Sequence, residues 1–128
     1  MAIFQAYPTV RATIVYTIDG GGSVITTGVK GFLEVPFDCD VQGWTILADV
    51  SGSIVVDVWM DIYANFPPTV ADTIAGTEKP TLSSAQSNQD TSLSSWTTYL
   101  PRGQVLAFNV DSVATVTRVQ VFLQVRKR

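Results

Sequence analysis

Apolar and polar residues alternate with a period of two along most of this chain, and the spacing of an amphipathic helix is almost absent. The clearest run is 53–61, where Ile54, Val56, Val58 and Met60 point one way and Val55, Asp57, Trp59 and Asp61 the other. Residues 10–18 are rich in the β-branched and aromatic types that favour strands. Val24–Thr27 reads as a short strand. Leu33, Val35 and Phe37 share one parity, and Pro36 marks that strand as an edge or irregular one. Trp44, Ile46 and Ala48 share a face within 41–50, and Val105–Val110 is a further strand. In the last strand Thr117, Val119, Val121, Leu123 and Val125 face inward, while Arg118, Gln120, Phe122 and Gln124 face outward.

Turn signals separate these runs. They are Asp19-Gly20-Gly21-Gly22-Ser23, the pair Gly28 and Gly31, Ser51-Gly52, Pro101–Gln104 and Asp111-Ser112. Ser51-Gly52 lies between two long strands and predicts a hairpin. Residues 63–90 differ in character: within them Tyr63–Asp72 holds Pro67 and Pro68, which remove two ladder donors and exclude a central strand there. The stretch 81–98, dense in Ser, Thr, Gln and Asn, predicts surface loops with one or two short edge strands. The pattern predicts an all-β fold of about eight strands: an antiparallel β-sandwich, jelly-roll-like, in a single domain over 1–128. An immunoglobulin-like sandwich is the competing topology, but its Cys…Trp…Cys spacing is missing, because Cys39 is the one cysteine.

Composition narrows the function. The 128 residues are 46% apolar and 15% charged, against a norm of about 25% charged, and the mean hydropathy is +0.25. A chain of this length removes roughly two thirds of its unfolded surface from water, so no disulfide or metal staple is required. So little charge implies that other protein covers part of the outer surface. There is no histidine, hence no imidazole general base, pH switch or metal ligand. A lone cysteine forms no internal disulfide and no CxxC site, and it fits a reducing compartment. No cofactor is expected.

Charge is uneven along the chain. Residues 1–64 carry two bases against seven acids, net −5, and residues 65–128 carry six bases against four acids, net +2. Arg126-Lys127-Arg128 is too small a basic cluster for duplex recognition, so no nucleic-acid partner is expected. The tripeptide reads as a solubilising strand end or an ionic contact to a partner. No apolar run reaches the roughly 20 residues that span a bilayer, so no membrane partner is expected. Met1–Pro8 lacks the positive n-region of a secretory signal, which predicts a chain made and used without export.

The constellations that carry chemistry are thin. Asp57 and Asp61 share one face of one strand, about 13 Å apart along it, too far for a retaining glycosidase pair, and they read as solvated outward charges. Asp38 and Asp40 flank Cys39, but the rest of a calcium loop is missing, and a polar turn is expected there. Cys39 has no histidine to activate it and reads as a small buried residue. No catalytic or metal-ligating set is expected, and the chain is not expected to be an enzyme. Among the aromatics, Trp44 and Trp96 are expected in the core. Trp59 shares the outward parity of Asp57 and Asp61. Beside outward Phe122 or Tyr63 it predicts a subunit interface, ahead of a glycan site or core packing.

Two longer stretches carry a resemblance. Gly52-Ser53-Ile54-Val55-Val56-Asp57-Val58-Trp59 and Tyr63–Ile74, with Lys79-Pro80-Thr81-Leu82-Ser83, Gly103–Ser112 and Thr117-Arg118-Val119, are similar to a module recurrent in tailed-phage structural proteins. The similarity spans roughly residues 24–125. It implies a virion structural β-sandwich, often trimeric, with no catalytic residues to carry over. Fibre tips follow a long shaft, and only about 23 residues precede the matched region here. The resemblance therefore implies a capsid decoration (cement) protein, made in the host cytoplasm and carried on the capsid surface. Its expected partners are copies of itself, as a homotrimer, and the major capsid protein. Residues 1–9 would form an N-terminal arm, and Phe4, Tyr7, Trp59 and Phe122 are the expected interface residues. The alternative is a tail-fibre receptor-binding module, with Tyr63, Asn65, Phe66 and Asn88 in loops that read a host-surface glycan.

Overall fold

The computed structural model describes residues 10–128. The segment 1–9, with Phe4 and Tyr7 and the arm expected there, lies outside the described residues. Seven strands form one antiparallel sheet in the order β1-β7-β3-β6-β2, with β4 and β5 also paired to β3. Their ranges are β1 Arg11–Asp19, β2 Gly28–Glu34, β3 Cys39–Asp61, β4 Thr81–Asp90, β5 Tyr99–Leu100, β6 Val105–Ala114 and β7 Arg118–Lys127. The all-β, antiparallel architecture is the one the alternation predicts, with seven strands in place of about eight.

The strand β3 organises the molecule. It runs unbroken for 23 residues through Ser51-Gly52, where a hairpin was expected. Its first half, Cys39–Ala48, pairs with β7, and its second half, Ser53–Asp61, pairs with β6. Along its other side β4 pairs with both halves. The sheet therefore divides at β3 into a β7–β1 wing and a β6–β2 wing. The wings curl over one another: the Tyr16 ring of β1 meets the Phe108 ring of β6 edge-on, with centroids 4.4 Å apart. Gly52 sits at the division. A Cβ there would lie 2.7 Å from the Ala114 carbonyl oxygen and 2.8 Å from Val116 Cγ1, so the glycine serves close packing and not a reversal of the chain.

The core lies between the wings. Ile14 and Ile18 of β1, Trp44 and Ile46 of β3, Leu106 and Phe108 of β6, and Val119, Val121, Leu123 and Val125 of β7 are all buried in it. The last strand takes the parity that its sequence predicts. Trp44 and Trp96 are core residues, as expected, and both indole N–H groups donate to the Glu78 carbonyl at 2.8 Å. Three local expectations change. Val24–Thr27 is not a strand, although Ile25 is buried and its N–H donates to the Val116 carbonyl at 3.1 Å. Asp111-Ser112 does not turn, because β6 continues to Ala114 alongside β3. The polar stretch after Pro80 forms one edge strand of 10 residues, held by the β3 ladder despite weak β-propensity.

Candidate interaction surface

The outer face of the β3–β6–β2 wing carries the distinctive chemistry of the molecule. Asp57, Trp59 and Asp61 line it on β3, opposite Asn109, Ala107 and Val105 of β6. Beyond β6 stand Phe32 and Glu34 of β2, opposite Ala107 and Val105. The segment between β3 and β4 doubles back across this face. It contains 3-10 turns at Tyr63–Asn65 and Val70–Asp72, and Thr73 forms an isolated bridge to Trp59. Asp61 Oδ1 starts the return by accepting the Ile62 N–H at 2.7 Å and Asn65 Nδ2 at 3.1 Å.

That covering segment corrects the reading of Asp57 and Trp59. Their parity is outward, as expected, but both are buried, at 1% and 8% exposure. Asp57 is not a solvated charge. Its Oδ1 accepts the Val58 N–H at 2.9 Å and Thr73 Oγ1 at 2.6 Å. Its Oδ2 accepts Trp59 Nε1 at 2.9 Å and lies 3.4 Å from Lys79 Nζ. Lys79 in turn binds Asp111 Oδ2 at 2.7 Å, and Asp111 Oδ1 accepts Asn109 Nδ2 at 2.7 Å. The hydrogen bond to Asp111, helped by the charge of Asp57, raises the Lys79 pKa above its ordinary value. A buried carboxylate with this many donors fastens the covering segment to the sheet. Trp59 consequently offers a partner almost no surface. Phe122, on the outer face of β7, is half-buried.

The covering segment leaves an aromatic cluster uncovered beside Trp59. Phe32 and Phe66 pack edge to face with ring centroids 4.7 Å apart, yet each is about half exposed. Tyr63 beside them is 80% exposed. With Leu33, Glu34 and Val105 they line a shallow cleft of about 370 Å³. Ile62 and Val70 extend the apolar surface along the same segment. Tyr63, Asn65 and Phe66, expected together in one loop, do come together. Asn88 does not join them: it lies on β4 and donates to the Thr81 carbonyl at 2.8 Å. The sequence reading misses Phe32, which stands just before the Leu33, Val35 and Phe37 run and on the opposite parity. Its signal was a large aromatic on the outward parity of an edge strand.

Four further carboxylates, Glu78, Asp49, Asp40 and Asp38, are committed within the chain. Glu78 Oε1 accepts the N–H groups of Ser94 and Ser95 at 2.8 and 2.5 Å and Ser95 Oγ at 2.7 Å. These bonds hold its carboxyl down at about 2. Asp49 accepts Thr117 Oγ1 and the N–H groups of Thr117 and Arg118, which lowers its pKa. Asp40 pairs with Arg128 through two bonds of 2.9 and 3.0 Å, and its pKa is lowered by them. Asp38 accepts the Arg102 N–H at 2.8 Å. Two residues of the basic tripeptide are likewise engaged: Arg128 lies 3.9 Å over the Tyr99 ring and Lys127 4.5 Å over the Phe37 ring. Cys39 is buried, and burial followed by the charges of Asp40 and Asp38 pushes its thiol pKa up, which disfavours the thiolate.

No family model matches the chain, and no curated protein matches it. Among solved structures it is similar to a chain from a structure of infectious bursal disease virus, Gx strain, at 13% identity and a TM-score of 0.25. The match covers 94% of this chain and 40% of that one, so this chain spans less than half the length of the viral chain. A likeness at that level carries no argument about function.

Proposed function

We propose that this chain is a virion structural protein, a capsid decoration protein of a tailed phage that assembles with copies of itself and binds the outer face of the major capsid shell. The observation that carries the reading is the uncovered Phe32–Tyr63–Phe66 surface, on a wing where the neighbouring Asp57 and Trp59 are covered. Solvent-exposed aromatics packed against each other, with a rim that includes Glu34, are the composition of a protein contact. The resemblance of residues 24–125 to tailed-phage structural modules supports the same reading. Asp57, Glu78, Asp49 and Asp40 are each used as internal fasteners, which favours a structural role over a chemical one. Each aromatic buried at a contact contributes about 1 kcal/mol, so one copy binds weakly and a lattice of copies binds through multivalency.

The test is cosedimentation of the purified chain with shells that lack it, followed by thermal disruption of the loaded shells. Binding at many copies with a raised disruption temperature is the expected result. A specific observation favours a second reading, recognition of a host-surface glycan: the exposed Tyr63 ring has the side chains of Asn65 and Glu34 close by in sequence and cleft. Under that reading the chain binds surface polysaccharide and leaves shells untouched.

A further inference from the structure

We propose that β1 is a self-pairing edge: two copies of the chain join β1 to β1 in antiparallel register about a two-fold axis at Val15. The inference deepens the self-association in the function proposed above and rests on that part of it alone, not on the shell.

The backbone is arranged for it. Among the described residues β1 pairs with β7 on one side only, with an unbroken register from Arg11 opposite Arg126 to Asp19 opposite Arg118. It contains no proline and no bulge, the usual devices that blunt an edge. Its only charges stand at its two ends, Arg11 and Asp19. The Lys127 N–H donates to the Val10 carbonyl at 2.9 Å. Backbone groups of successive residues alternate in direction, so residues 11, 13, 15, 17 and 19 turn both their N–H and C=O toward the open edge.

The side chains of those same five residues form the exposed face of β1: Arg11, Thr13, Val15, Thr17 and Asp19. Read about Val15, the series is its own complement. Antiparallel pairing places Arg11 opposite Asp19 of the second copy, Thr13 opposite Thr17, and Val15 opposite Val15. Opposite charges, threonine pairs and β-branched pairs are the favourable cross-strand combinations. No other register pairs all nine residues, and none matches both charges.

The charge row also lacks something in a single copy. Arg11 lies directly opposite Arg126 in the β1–β7 ladder, a like-charge pair, and Arg11 has no ion pair among the described residues. Arg126 is opposite Asp40, which is bound to Arg128. The second copy's Asp19 supplies the missing negative charge. Asp19 uses Oδ1 to accept the Gly21 N–H at 2.8 Å, which leaves Oδ2 for the guanidinium.

Sedimentation equilibrium and native mass spectrometry of the full chain test the proposal, with far-UV circular dichroism to establish folding. The expected mass is twice 13.9 kDa, or an even multiple built on that dimer. R11D sets two acids opposite each other at both ends and weakens the dimer about tenfold. R11D/D19R, which restores opposite charges with the order reversed, recovers the wild-type affinity. V15P removes an N–H that faces the open edge and not β7, so the fold survives and the dimer is lost. A monomer at all concentrations, an odd-numbered assembly, a dimer indifferent to R11D, or a double variant as weak as the single one overturns the proposal. Shell cosedimentation is scored separately. A dimer that ignores shells defeats the decoration reading alone, and a monomer that binds shells defeats the edge pairing alone.

Discussion

Trp59 and Asp57, two residues apart on β3, are joined by a hydrogen bond from the indole Nε1 to the carboxylate Oδ2 at 2.9 Å, and both are buried beneath the segment that follows the strand. The carboxylate is the one charged group buried among the described residues, and it also holds Thr73 of that segment. Asp57→Ala strands the Trp59 and Thr73 donors and leaves Lys79 to Asp111 alone. The expected loss is about 3 kcal/mol. Asp57→Asn, which keeps one acceptor, loses less. Urea denaturation followed by Trp fluorescence measures both, and a loss under about 0.5 kcal/mol for Asp57→Ala would show that the fastener carries no weight.

Glu78 ties the loop after the 3-10 turns to Ser94 and Ser95, and its carboxyl titrates at about 2 against an ordinary 4.5. A carboxyl depressed in the folded state stabilises the fold fully above its unfolded value and loses that contribution as pH falls toward the folded one. Wild-type melting temperature is therefore expected to drop between pH 4.5 and 2 partly through this group. Glu78→Gln starts lower at neutral pH and falls less across that window. Parallel melting curves for the two proteins across the whole window contradict the assignment.

Gly31 of β2 and Tyr16 of β1 meet where the two wings close. A Cβ on Gly31 would fall 1.8 Å from the Tyr16 hydroxyl and 2.9 Å from Cζ. Gly31→Ala forces the tyrosine off its edge contact with Phe108, at a cost of about 1–3 kcal/mol. Tyr16→Phe removes the nearest atom, so the double variant recovers part of that loss. The coupling is read from a double-mutant cycle in denaturant. Additive losses would place the two residues apart.

Phe66→Ser and Tyr63→Ser remove exposed aromatic surface and leave the core alone. Each is expected to lower stability by about 1 kcal/mol or less, the larger change at Phe66 through its contact with Phe32. Shell binding, measured by cosedimentation, is expected to fall at least tenfold for the pair. Trp59→Ala is expected to fail differently, by destabilising the fold. Unchanged shell binding by the serine variants would remove this surface from the contact.

Most of the fold was legible in the alternation of residues, because one-sided burial writes a period of two. The misreadings have physical causes. Ser51-Gly52 has the composition of a tight turn, but Gly52 is small because Ala114 and Val116 crowd it where the sheet divides, and a close approach leaves the same sequence signal as a reversal. Trp59 and Asp57 were placed on the correct face of β3. Periodicity cannot tell whether solvent or another segment covers that face, and the cover comes from residues 62–80, whose prolines and polar groups look like free loop. Tyr63, Asn65 and Phe66 were legible as an aromatic loop. Phe32 was not, since its partner Phe66 lies 34 positions along the chain and strand order is not written in periodicity. The complementary ends of β1 were in plain view, but they gain meaning only once β1 is known to be an edge.

The most direct test of the central claim is the position of the protein on the particle, by electron microscopy of virions labelled with gold-conjugated antibody against the folded chain. Label spread over the head at many copies is the expected result for a decoration protein. Label confined to the tail tip or fibres would contradict it and turn the Tyr63–Phe66 surface into a candidate receptor site.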